Sequence, residues 1–220
     1  MDRLGFDRRG GAAAVRILFA ALALALVGNA AHAQVPADST RYRLQLEREA
    51  VRYFGLTPPI SVLAAQIHQE SSWNPKAASA FAQGLAQFTP ATAKWLPQVC
   101  PAVGTPDVWD PAWSLRAHAC YDAWLYRRVT RYAAPTPPLS TCDRLAFMLR
   151  AYNGGEGWLN RERKLAFDKG ANPNSWKAVA AYRVRAGWAH KENTEYPHRI
   201  LTILEPRYYN AGWERLLPCA

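Results

Sequence analysis

One segment, AWSLRAHACYDAWLYRRVTRY at residues 112–132, restricts the fold more than any other stretch of the chain. Trp113, Leu115, Tyr121, Trp124, Leu125 and Val129 recur at a spacing that collects side chains on one side of a helix. Shorter segments repeat the pattern. YRLQLEREAVRYFG places Leu44, Leu46, Val51 and Phe54 on an apolar side and stops at Gly55, and PPISVLAAQIHQE starts with proline in its first turn, where a missing N–H costs little. In TPATAKWL, Thr89 is suited to cap a helix that Pro90 begins. CDRLAFMLRAYN supplies a further helix before GGEG, and the tail EYPHRILTILEPRYYNAGWERLL reads as helix interrupted at Pro206. A Pro- and Gly-containing loop is expected from Pro97 to Pro111, with room for a short ribbon near residues 98–110. No segment alternates convincingly as a strand would, so the expected fold is mainly α, in one domain with no internal repeat or dividing linker.

The first 33 residues stand apart. Arg8, Arg9 and Arg16 lead an apolar run of 12 residues, Ile17 to Gly28, and AHA closes it at Ala33. That order is a secretory signal cleaved after Ala33. The rival reading, a membrane anchor, calls for about 20 apolar residues, and no cysteine follows the run as a lipoprotein anchor would require. Residues 34–40 then read as a loose leader and 41–220 as the folded domain, placed in the periplasm or secreted, with no stable membrane anchor once the signal is removed.

Without residues 1–33 the chain keeps 23 basic and 15 acidic groups, a charge of about +8. Such a surface favours polyanions, namely nucleic acid, acidic lipid or an anionic wall polymer, and export makes nucleic acid the poorest of these. The run YRRVTR at 126–131 reads as a solvated helix face. Cys100, Cys120, Cys142 and Cys219 allow three disulfide connectivities in an exported chain. Sequence locality favours Cys100–Cys120 with Cys142–Cys219, against the alternative of four buried thiols. There is no CxxC pair and no His cluster, so neither a metal nor a cofactor is expected.

IHQESSWNPKAASAFAQGLAQFTPAT, residues 67–92, contains one carboxylate, Glu70, at the expected end of a helix. Burial beside apolar groups and the partial negative charge of a helix C-terminus both favour its neutral form, the form able to protonate a glycosidic oxygen. His68, two residues away, points elsewhere on a helix and reads as structural.

Four blocks in order resemble the lytic transglycosylases, whose catalytic domain is goose-type-lysozyme-like. These are QESSWNP, SAFAQGLAQFTPATA, AYNGG at 151–155 and ENTEYPHRI, and they span residues 60 to about 205. The resemblance implies a single helical domain with a substrate cleft, acting on the glycan strands of peptidoglycan, with an envelope-spanning machine as a further partner. Glu70 matches the family's catalytic glutamate. As acid it would protonate the leaving oxygen while the sugar's own acetamido oxygen attacks; as base it would then take the proton of the muramic 6-hydroxyl to close a 1,6-anhydro ring. Substrate-assisted glycosidases dispense with a second carboxylate in this way.

The other roles follow by position. Gln87 would offer its amide to the sugar, against a packing role, and Phe88 belongs to the same cleft-lining block. Tyr152 would bond near the acetamido group, against burial with a satisfied hydroxyl; Asn153 reads as substrate contact or helix cap. Ser71 is either a capping hydroxyl or a substrate contact, and Gly84 permits close approach or a positive φ. In the last block Glu192 and Tyr196, both expected by the resemblance to contact the substrate, keep the family's four-residue separation. Thr194 is displaced by one, so Glu195 competes as the supporting carboxylate, and Glu192 is preferred. Ala86 stands where the family often has Met, and Pro197 where it has Val. Three alternatives remain: a water-using muramidase, an inactive wall-binding scaffold, and a nucleic-acid binder that the export signal opposes.

Overall fold

The structure, a computed structural model, describes residues 35–132 and 135–219; the expected signal segment lies outside the described residues. Helices make up the fold, and among the described residues strand pairing is confined to two isolated bridges, Ala78–Gln83 and Gln83–Phe88. The ribbon envisaged near 98–110 is absent; a 3-10 turn at Pro101–Val103 takes its place. No described helix is long and apolar enough to cross a membrane.

Helix α1 (Ala37–Phe54) begins earlier than expected. Residues 37–40, assigned to a leader, form its first turn, and Ser39 is fully buried there. Its inward face also differs. Tyr42, Leu46, Glu49 and Ala50 are buried, whereas Leu44 is 66% and Val51 43% exposed. The buried stripe includes a charged residue because Arg116 donates to Glu49 across 3.3 Å, so counting apolar positions alone selects the wrong side.

Helix α2 (Ile60–Ser71) is buried at every position from Ile60 to Ile67, Ser61 and Gln66 included, and packs against α1 and the C-terminal helical segment. The prolines precede it rather than open it, with Pro59 at the N-cap. Helix α3 (Pro90–Val99) starts as the sequence implies: the Thr89 hydroxyl accepts from the Thr92 N–H and Pro90 follows. Asp110 caps α4 (Pro111–Arg128) by accepting from the N–H groups of Ala112 and Trp113. Ser140 does the same for α5 (Thr141–Gly154).

After Gly155, at φ +88°, the chain re-enters a helix, α6 (Glu156–Asp168), for which the pattern gave no clear signal. A short α7 (Trp176–Val179) leads to α8 (Gly187–His198), which runs into a π-helical stretch at Arg199–Leu204 and then α9 (Glu205–Asn210). Pro206 sits in the first turn of α9, and the irregularity lies just before it. A proline ring crowds the carbonyl four residues back and cannot donate to it, so the preceding turns widen. The cysteines pair as Cys100–Cys120, tying the end of α3 to α4, and Cys142–Cys219, tying α5 to the tail.

Two polar clusters lock this frame. Buried Glu205 receives Ser61 Oγ at 2.7 Å and both Arg215 nitrogens at 2.7 Å, which fixes α9 to the start of α2. Glu162 of α6, fully buried, receives Arg150 Nη2 at 2.5 Å and Arg185 Nε at 3.1 Å, with His190 Nδ1 3.0 Å away. Arg150 also donates to Asn193 of α8 at 3.1 Å, and Asn193 returns a bond to the Arg150 carbonyl at 2.8 Å. Gly154 admits this contact, since a Cβ there would collide with the Asn193 side chain.

The observed face of α1 gives a direct test. We predict that Leu46→Ala costs about 2–5 kcal/mol in denaturant unfolding and Leu44→Ala under about 0.5 kcal/mol. Equal costs would contradict the burial pattern.

Candidate active site

Glu70 occupies the last turn of α2, where the chain leaves the helix through two consecutive left-handed residues, Ser72 at φ +51° and Trp73 at φ +66°. Such conformations persist in non-glycine residues only when the surroundings over-determine them. Here the Trp73 ring is fully buried and its Nε1 donates to Tyr208 Oη at 2.5 Å. The same phenol meets His68 Nδ1 at 3.1 Å, so His68 faces α9 as a structural residue.

A cleft of about 350 Å³ opens over Glu70. Phe81, Gln87 and Phe88 line one wall from the loop between α2 and α3, and Thr89 and Thr92 continue it at the start of α3. Tyr121 of α4 and Tyr152 of α5 form the back, with Asn153 of α5 and Glu192 of α8 on the far side. Phe88 is buried edge-on against Trp113 and tilted against Tyr152, so it serves as wall and core together.

The loop carrying Gln87 is shaped by two constraints. At Gly84, φ is +76° and a Cβ would collide with the Val108 carbonyl, so both reasons anticipated for this glycine apply. Gln87 itself has φ +48°, and its Nε2 donates to the carbonyls of Ala77 at 3.0 Å and Gly84 at 2.9 Å. Both amide hydrogens are thereby consumed within the loop, which leaves Oε1 as the group Gln87 can offer to a ligand. Gln87 thus clamps the loop while lining the cleft.

Tyr152 donates its hydroxyl to the Ala86 carbonyl at 2.6 Å, keeping an oxygen lone pair toward the cleft. Burial, with Glu70 nearby, raises this phenol well above its ordinary value, so it stays protonated. Asn153 is no cap: its Nδ2 donates to Glu192 Oε1 at 3.4 Å and its Oδ1 accepts from Asn193 at 3.1 Å. Ser71 does not line the cleft; its hydroxyl returns to the Ile67 carbonyl at 3.3 Å.

The late glutamates separate. Glu192 lines the cleft, while Glu195 is exposed beside Lys191 at 3.8 Å. One turn beyond Glu192, buried Tyr196 donates its hydroxyl to Glu70 Oε1. Tyr196 therefore acts on the acid rather than lining the cleft, where the sequence reading placed it as a substrate contact. Burial raises the Glu70 carboxyl to about 7; the Tyr196 hydrogen bond opposes that rise, and the negative charge of Glu192 adds to it.

Asp122 lies fully buried behind the cleft, and the sequence reading passed over it. Gln66 Nε2 reaches its Oδ1 at 3.5 Å, and His118 Nε2 lies 3.1 Å from Oδ2 without the alignment of a hydrogen bond. Burial raises the Asp122 carboxyl well above its ordinary range and lowers His118 to about 3, so it opposes charge on both groups. An acid inside the apolar periodicity of 112–132 was the available signal. Phe81, Thr89, Thr92 and Tyr121 also line the cleft unforeseen. Phe81 stands in the 67–92 stretch, Thr89 is also the α3 cap, and Tyr121 belongs to the apolar spacing of 112–132.

A family model described as the transglycosylase SLT domain matches residues 54–175. The chain is 40% identical over 120 residues to the membrane-bound lytic murein transglycosylase F of Maricaulis maris, covering 54% of this chain and 24% of that protein. It is 30% identical over 158 residues to the protein of the same name from Shewanella pealeana, covering 67% of this chain and 30% of the relative. Among solved structures, the 70 kDa soluble lytic transglycosylase of Escherichia coli superposes with a TM-score of 0.55 at 22% identity, over 77% of this chain and 25% of that one. That likeness shows the fold. The chain spans between a quarter and a third of these proteins' length. Glu192 and Tyr196 lie beyond the matched family segment.

Because Glu70 titrates near 7 when folded against 4.5 ordinarily, the folded state holds this proton more tightly than the unfolded state. Its contribution to stability is intact below about pH 4.5 and is lost as the pH rises through about 7. We predict that Glu70→Gln, which carries no charge, stabilises the protein more at pH 8 than at pH 5, by about 2–3 kcal/mol in denaturant unfolding. An equal effect at the two pH values would refute the burial of this carboxyl.

Proposed function

The chain belongs to the transglycosylase SLT domain family, and on that footing we propose that it is a lytic transglycosylase of peptidoglycan. In this reading it cleaves the β-1,4 bond between N-acetylmuramic acid and N-acetylglucosamine and leaves 1,6-anhydromuramyl ends. The observation that carries the proposal is the state of Glu70: a carboxyl raised to about 7 by burial, opening onto a cleft, and held at one oxygen by Tyr196.

The two steps make opposite demands on this group, and its surroundings suit both. As acid, Glu70 must carry a proton near neutral pH, and burial keeps it there. Once it has protonated the leaving oxygen it is an anion, and the phenol of Tyr196 then donates to that anion. The other oxygen, Oε2, has no hydrogen bond among the described residues and is free to give up and retrieve the proton. Attack by the acetamido oxygen forms the new bond at the anomeric carbon as the glycosidic bond breaks. The muramic 6-hydroxyl then displaces the acetamido oxygen and gives its proton to Glu70, which restores the acid without water.

Glu192 is the second carboxylate of the cleft and supports a competing reading, hydrolysis by a water that it holds, as in goose-type lysozymes. In this reading the protein works in the bacterial envelope, periplasmic or secreted, and relatives named as membrane-bound lytic murein transglycosylases support an envelope location.

Mass spectrometry of muropeptides released from purified sacculi separates the two readings. Anhydro ends, one water lighter than reducing ends, are the expected product; reducing ends alone would establish the hydrolytic reading. Glu70→Gln is expected to abolish release. The pH profile tests the acid directly, with kcat/KM falling above about pH 7 as Glu70 loses its proton. Tyr196→Phe removes the bond that holds the pKa down, so the alkaline limb should move to higher pH. Glu192→Gln removes the charge that pushes it up, so the limb should move lower. Shifts in the same direction would contradict this account.

A further inference from the structure

The mechanism above makes no use of the aromatic ring at the rim of the cleft. Phe81 is 80% exposed, more than Trp188 at 75% or Trp109 at 47%. A single exposed ring is ordinary on a protein surface, but three observations set this one apart. Phe81 lines the same cleft as Glu70, whereas Trp188 and Trp109 do not.

Its backbone is also tied in place. The Ser79 hydroxyl accepts from the N–H groups of Phe81 at 3.2 Å and Ala82 at 3.0 Å, and the Ser79 N–H donates to the Ala82 carbonyl at 2.9 Å. Below this turn, the Ala78–Gln83 bridge and the Gln87 clamp on Ala77 and Gly84 close the base of the loop. A ring displayed from a fixed turn has less ordering entropy to lose when a ligand covers it. Finally, the inner aromatic rings are occupied. Phe88 and Tyr152 pack on one another and on Tyr121, with their edges committed to the core. Phe81 is the lining aromatic whose face remains open to solvent.

We propose that Phe81 is a stacking platform for one pyranose ring of the glycan strand, fixing a sugar at the mouth of the cleft so that the neighbouring linkage reaches Glu70. A β-linked amino sugar has a face of C–H groups whose partial positive charge suits the negative face of an aromatic ring. Covering the ring also removes apolar surface from water. The polar edges of the sugar then meet the polar groups of the interior, among them Gln87 Oε1, Asn153 and Glu192. The platform contributes to holding the strand and takes no part in proton transfer. This assignment rests on the glycan-cleaving function proposed above.

The test uses the mature protein and soluble, uncross-linked GlcNAc–MurNAc oligomers. Phe81→Ala should raise KM about five- to tenfold with a much smaller loss of kcat, and Phe81→Tyr should restore KM. Thermal unfolding of Phe81→Ala should match the wild type, as the side chain is exposed. In a Glu70→Gln background, Phe81→Ala should weaken calorimetric binding of the same oligomer by the same factor. A wild-type KM and affinity for Phe81→Ala, with Glu70→Gln inactive, would overturn the platform and leave the catalytic reading standing. A wild-type protein that releases no muropeptides, or a Glu70→Gln variant as fast as wild type, would remove both.

Discussion

Glu162 is a carboxylate buried where no water can reach it, and the site depends on how its charge is met. Taking a carboxylate out of water costs several kcal/mol unless partners with good geometry replace the solvent. Arg150 from α5, Arg185 from the loop before α8, and His190 from α8 all converge on it. Arg150 passes the constraint on to Asn193, which is sandwiched between the Arg150 side chain and backbone. Asn193 lies next to Glu192 and three residues before Tyr196, so fixing it sets the helical phase of both. An ion pair that touches no substrate group thus decides which side of α8 meets Glu70. Burial lowers Arg150 itself to about 10, still well above neutral pH, so the guanidinium remains charged.

Around Glu70 the opposing influences are graded. Desolvation pushes the carboxyl up, the Tyr196 bond pulls it down and the Glu192 charge adds to the rise; together they bring it to about 7. Burial opposes charge on the buried pair Asp122 and His118 as well: it raises the Asp122 carboxyl well above its ordinary value, with the Glu70 charge adding to the rise, and lowers His118 to about 3.

Much of the helical frame was legible in the chain because its signals are local. Thr89-Pro90 marks a helix start through the hydrogen bonds of one turn, and Gly55 and Gly155 mark ends through positive φ. The misses have one cause. Glu49, Arg150 and Glu162 are buried because of partners distant in sequence, so a count of apolar positions turned α1 toward the wrong face and gave no sign of α6. The cleft shows the same division. Glu70, Phe88, Tyr152 and Glu192 stand in blocks whose residues could be named in advance. The bonding of Gln87 inward, the return of Ser71 to its own helix, and the donation of Tyr196 to the acid depend on distances no spacing encodes.

The sequence by itself determined that this chain would be mainly helical, where several of its helices would start, and that Glu70 would end one of them. Those properties follow from backbone hydrogen bonding and side-chain periodicity within a few residues. Only the tertiary structure decided that Glu70 would be an acid near neutral pH. That property is a sum of burial, one phenol from α8 and one like charge beside it, and the phenol and the charge come from residues more than 100 positions away in the chain. Local chemistry could nominate the residue; the free energy of its proton was settled by packing.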